Sequence, residues 1–288
     1  MIQKQLLAFF MLAYALTWSV FIGVGIPSPE NPLVLLGVWG PSIAAILLTA
    51  VWGRGAGLKQ LLGRLLILRV WIQCYALILI GFPLTAVGAV IVSNWLTGGN
   101  VALQSFSIAN LLPVLIFQFL IPGLGEEIGW RGYALPRMQK QVTPLAAAVV
   151  LALVHLFWHL PGFWMGMGFH NVPFWLGTLW IIPFTIIFVW VYNNTRGSLF
   201  VAALYHSFFG VVLSAVPILP SEQVIPITPE LLTQFNIPAA VYPYTIFVLL
   251  TWLCALVVIW QTKGRLGYAQ NEPEVYQAAA GQPATAAR

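Results

Sequence analysis

Long apolar stretches govern what this chain can become. Eight of them, each near the 20 residues that cross a bilayer core of roughly 30 Å, follow one another at 6–27, 33–52, 70–96, 110–139, 144–164, 173–193, 198–219 and 240–261. Between them the chain has little with which to face water. Only 7% of its residues are charged, against about 25% in an ordinary soluble domain. A soluble fold is excluded on that ground. The fold class expected is all-α, a polytopic membrane helical bundle of about eight transmembrane helices, integral to the cell membrane. The first stretch is too long for a signal-peptide core and reads as a spanning helix.

The basic residues supply an orientation. Lys4, Arg54, Lys59, Arg64, Arg69, Arg137, Lys140, Arg196, Lys263, Arg265 and Arg288 all fall on one side if the eight stretches alternate across the bilayer. The opposite loops, near 28–32, 97–109, 165–172 and 220–239, contain no Lys or Arg. The positive-inside bias then makes both termini cytoplasmic. The layout expected is three helices over 1–109, a four-helix core over 110–219, an outer loop and eighth helix over 220–265, and a disordered tail over 266–288. Net charge is +5 without a run of like charges, so no nucleic-acid partner is expected. Cys74 and Cys254 lie in apolar stretches and read as packing residues. The chain has no Asp, so carboxylate chemistry rests on its glutamates.

Three charges escape this sorting: Glu126, Glu127 and Arg131. If the fourth helix runs to Gln139, Glu126 lies about 20 Å from its inner end. Glu127 and Arg131, four apart, share a helix face and can neutralise each other. Glu126 points about 100° away with no such neighbour. An intramembrane carboxylate is a functional candidate by default. The bland alternative ends the helix near Gly125 and makes the segment a cytoplasmic loop. Two histidines weigh against it. His159 and His206 lie in the fifth and seventh stretches, at depths overlapping that of Glu126. A glutamate beside one imidazole suits a general base, and a second imidazole suits an oxyanion donor. His155, four residues before His159, keeps a metal open as well, because imidazole and carboxylate ligands suit Zn2+. His170 sits in an outer loop and reads as solvated or interfacial.

At these residues the chain resembles the CPBP family of intramembrane proteases, also called the ABI or CAAX-protease-and-bacteriocin-processing family. Its motifs are EExxxR, FxxxH and HxxxN (or Asp). The first is matched by Glu126, Glu127 and Arg131, followed by Gly132. The second is matched at His159 with His155 in place of Phe, and the third at His206 with Gly210 in place of Asn or Asp. The resemblance covers about 110–215. It implies proteolysis of a membrane-associated protein or peptide, lipidated in CAAX-type processing. Glu126 and His159 would activate water, His206 would bind the oxyanion, and Glu127 and Arg131 would hold the site together. Both metal-dependent and metal-free mechanisms are proposed for the family; Glu126, His159 and His206 would be the zinc ligands in the first.

Gly210 is the main departure. An Asn there would share a helix face with His206 and add a second donor, and losing one such donor costs about 100- to 1,000-fold in rate. Ser207 and Asn193 are the candidate replacements. Three functions therefore stay open. One is an intramembrane endopeptidase. Another is an inactive relative that binds partners or confers bacteriocin self-immunity. The third is a proton-coupled transporter using the same groups as a relay.

Overall fold

The computed structural model describes residues 2–101, 108–164, 174–219 and 239–268. His170, most of the outer loops expected around it and at 220–239, and the tail beyond Tyr268 lie outside the described residues. Among those described, the secondary structure is helical, with no strand. In chain order the principal helices are α1 (Ile2–Gly25), α2 (Gly40–Leu66), α3 (Ile72–Thr97), α4 (Ala109–Met138), α5 (Pro144–Trp158), α6 (Trp175–Asn194), α7 (Leu199–Ala215) and α8 (Ala239–Thr262). Six are long and apolar enough to cross a membrane, and α5 and α7 are shorter apolar helices. The protein is a polytopic helical bundle and an integral membrane protein.

Which side chains are buried separates an outer shell of helices from an inner one. On α1, α3 and α8, large apolar residues such as Met11, Leu84, Ile91, Leu253 and Trp260 are exposed, as expected of faces turned to lipid. Along α6, by contrast, Ile181, Phe184, Ile187, Phe188 and Val191 are all buried. A helix that is apolar all round and covered all round belongs to the centre of a bundle. It packs against α5, α7 and α8. Beside it, α4 is held between α2 and α7.

Two expected boundaries need correcting. The second stretch is not one helix over 33–52. A short helix, Val34–Val38, ends at Trp39 two residues before Pro41, and α2 then runs on to Leu66. A proline is best tolerated in the first turn of a helix, and Pro41 sits there in α2. Arg54 and Lys59 thus lie on α2, with a kink at Arg54 (φ 51°) in a Gly-rich stretch, rather than in a loop. The fifth stretch does not continue to 164 either. It stops at Trp158, with His159 at its C-terminal cap, before a short helix from Leu160 to Trp164. Pro161 has no N–H with which to carry the helix forward.

Candidate active site

Glu126 and Glu127 sit in a short α-helical stretch of α4, Leu124–Gly129, between π-helical turns at Phe119–Gly123 and Trp130–Ala134. Pro122 lies inside the first of these, where a wide turn absorbs the carbonyl that its ring displaces. The helix is nonetheless continuous to Met138, so the loop alternative for the charged segment falls. Two glycines let neighbours reach it. A Cβ at Gly129 would lie 2.6 Å from the Pro41 carbonyl carbon on α2. A Cβ at Gly123 would lie 2.6 Å from the Ser207 hydroxyl on α7. Both contacts require a residue without a side chain, and they draw α2 and α7 onto α4 at the level of the glutamates.

Glu126 and Glu127 are both buried, at 3% and 0% exposure. Glu127 Oε1 accepts from Arg131 Nη1 at 3.0 Å, the i, i+4 pair expected. The same oxygen lies 2.7 Å from His206 Nδ1. An ionised carboxylate only accepts, so Nδ1 carries the proton in that contact. The Arg131 guanidinium also lies over the Phe188 ring of α6, 3.9 Å from its centroid, which partners its charge where water is excluded.

Glu126 has a partner that its own helix does not supply. Its Oε2 lies 2.7 Å from Nε2 of His155 on α5. The His155 ring packs against both Trp130 and Trp158, with centroids 5.3 and 5.7 Å away. Trp158 Nε1 donates to Thr17 Oγ1 at 2.9 Å, and Thr17 donates to the Gly37 carbonyl at 2.7 Å. α1 and α5 are thereby tied to the segment leading into α2. His159 Nδ1 donates to the His155 carbonyl at 2.9 Å, leaving Nε2 with its lone pair in the neutral ring. The rings of His155 and His159 are 4.5 Å apart, and those of His155 and His206 are 6.4 Å apart.

All five expected site residues therefore converge. Glu126, His159 and His206 line one cavity of about 310 Å³, whose other walls are mainly apolar, among them Phe21, Ile121, Leu156 and Trp180. Among the described residues the potential metal ligands divide into two overlapping trios rather than the expected set of Glu126, His159 and His206. They are Glu126–His155–His159 and Glu126–Glu127–His206, each with ligand atoms within 4.8 Å of one another. The first is a carboxylate with two imidazoles, a donor set of the kind that catalytic zinc sites use. Its chemistry fits a zinc ion.

The sequence pairs His159 with Glu126 and offers His155 only as a further metal ligand beside His159. In the structure the direct bond comes from His155. The signal was the four-residue spacing from His159, which puts both rings on one face of α5. The replacements suggested for the missing motif Asn are both engaged elsewhere. Ser207 donates to the Ala203 carbonyl in its own helix. Asn193 is bonded to Gln139 and to the Leu266 carbonyl. Arg64, counted as a loop charge, is buried and donates to Tyr192 Oη at 2.6 Å and to the Gly132 carbonyl, pinning α2 to α4 and α6.

Fold and site define a class: a membrane-embedded helical bundle with a carboxylate–imidazole cluster opening on an apolar cavity. Residues 108–212 match the model of a family described as type II CAAX prenyl endopeptidase, Rce1-like, and the resemblance to the CPBP family is borne out. The chain is also similar to the CAAX prenyl protease 2 of Methanococcus maripaludis, 29% identical over 121 residues. That alignment covers 38% of this chain and 44% of the relative. The family match falls on the part of the molecule that contains the site, and the chain spans less than half of the relative's length.

Proposed function

We propose that the chain is an intramembrane endopeptidase that hydrolyses a peptide bond in a membrane-associated protein carrying an apolar, lipidated segment. The observation that carries this reading is the Glu126 carboxylate, hydrogen-bonded to His155 and lining the same cavity as His159 and His206. Apolar walls suit an acyl or prenyl chain, and the polar end suits a scissile amide. With both termini cytoplasmic, as the basic residues argue, the substrate enters from the cytoplasmic side.

In this mechanism Glu126 and His159 Nε2 hold the attacking water. As its oxygen bonds to the substrate carbonyl carbon, a proton passes to the Glu126 carboxylate. The carbonyl oxygen becomes an oxyanion facing His206. With His206 as the imidazolium, two glutamates, Arg131 and His206 sum to zero charge, and Nε2–H is left to donate to the oxyanion. Collapse breaks the C–N bond, and the proton on Glu126 passes to the leaving nitrogen. The products are a carboxylic acid and an amine. Glu127 and Arg131 fix His206 and do not touch the substrate. A zinc ion, if bound, would be held by Glu126, His155 and His159 and would supply Lewis acidity to water and carbonyl.

Gly210 keeps one second reading in play, a relative that binds such substrates without cutting them. Purified wild type, Glu126→Ala and His159→Ala in liposomes with a prenylated peptide separate the two. The endopeptidase reading requires cleavage by wild type and a loss of at least about 100-fold in both variants. Peptide retention without cleavage by all three forms favours the second. Metal content of the same preparations decides between the zinc-bound and metal-free sites.

A further inference from the structure

We infer that Gln118 is a catalytic hydrogen-bond donor of this site, delivering from α4 the carboxamide that α7 lacks. The inference rests on the endopeptidase reading and names a residue that reading does not require. Gly210 lies four residues after His206, one turn along the same face of α7. A Cβ built there would lie 2.5 Å from Gln118 Cδ, 2.6 Å from its Oε1 and 2.8 Å from its Nε2. The carboxamide of Gln118 thus occupies the volume in which a side chain at 210 would begin. It does so while lining the cavity shared by Glu126, His159 and His206.

Two further observations make this more than packing. Gln118 makes no side-chain hydrogen bond to another described residue, so its N–H2 group is not committed to holding helices together. Gln118 also directly precedes the π-helical turn Phe119–Gly123. Eight regular α-helical residues separate two side chains by about 80° around the axis. The wide turn alters that register, and Gln118 and Glu126 both reach the cavity. An uncharged amide keeps its donors whatever the protonation of its neighbours. During water attack it would donate Nε2–H to the forming oxyanion beside His206, a contact made stronger as charge develops on that oxygen. No proton changes hands at Gln118.

The test is cleavage of a prenylated peptide in liposomes by wild type, Gln118→Met, Gln118→Ala and the double variant Gln118→Ala/Gly210→Asn, with Glu126→Ala as the blank. Methionine keeps the length of the side chain and removes its donors. Loss of one oxyanion donor predicts a fall in kcat of about 100- to 1,000-fold with KM changed by less than about threefold. The double variant, with its carboxamide moved to α7, should recover at least tenfold over Gln118→Ala. Melting temperature in detergent should be the same for wild type and Gln118→Met. A Gln118→Met enzyme within twofold of wild type overturns the inference, as does a change in KM alone or a double variant no faster than Gln118→Ala. If wild type itself does not cleave, the endopeptidase reading fails and the inference with it. Cleavage abolished by Glu126→Ala but not by Gln118→Met sinks the inference alone.

Discussion

Glu127 sits between an arginine and a histidine side chain, away from solvent. It is fully buried, accepts from Arg131 and contacts His206 through a single oxygen. Such a pair is costly to assemble, and removing one member is worse, because it leaves the other charge alone in a low dielectric. Arg131→Met should therefore cost about 3–5 kcal/mol of stability. Glu127→Gln/Arg131→Met, which removes both charges, should recover much of it. Thermal unfolding of the three forms in detergent measures this; equal stability of single and double variants would contradict the pairing. The i, i+4 spacing made this contact legible in the sequence. The bond between Glu126 and His155 was not, because it joins two helices, and a sequence gives spacing within a helix but not the rotation of one helix about another.

At the scale of helices, the site depends on how closely α4 is approached. Gly129 faces the Pro41 backbone, an atom that cannot swing aside as a long side chain can. Gly129→Ala should push α4 from α2 and cost about 1–3 kcal/mol. It should also lower cleavage, because Glu126 lies less than a turn away. Gly63→Ala, where nothing lies within 4 Å of the added atom, is the control and should change neither. Stability and cleavage unaltered in Gly129→Ala would show that the close approach does not position the glutamates. The eight stretches were legible from their length and apolarity. Their ends were less so: Pro41 and Pro161 moved two boundaries, and the wide turn at Phe119–Gly123 altered the register of α4. Gln118 carries no charge to make it conspicuous, and its relation to Gly210 exists only once α4 and α7 are packed.

At the scale of the whole molecule, the asymmetry of basic residues argues for a direction across the membrane. Reporter fusions after Gly98 and after Tyr268 should report opposite sides, with the second cytoplasmic. The same side for both would break the alternation of helices, and a periplasmic-type signal after Tyr268 would invert the entry of substrate. The scarcity of charge that excluded a soluble fold also made Glu126, Glu127 and Arg131 conspicuous, and the structure gathers them with three histidines in the interior of the bundle. The central claim is that Glu126 activates water against a peptide bond. Its most direct test is mass spectrometry of a prenylated peptide incubated in H2(18O) with purified wild type or Glu126→Gln in liposomes. The account predicts one cut, with 18O in the new carboxylate, by wild type and at least about a 100-fold loss in Glu126→Gln. Equal cutting by the two forms, or an uncut peptide with wild type, would contradict it.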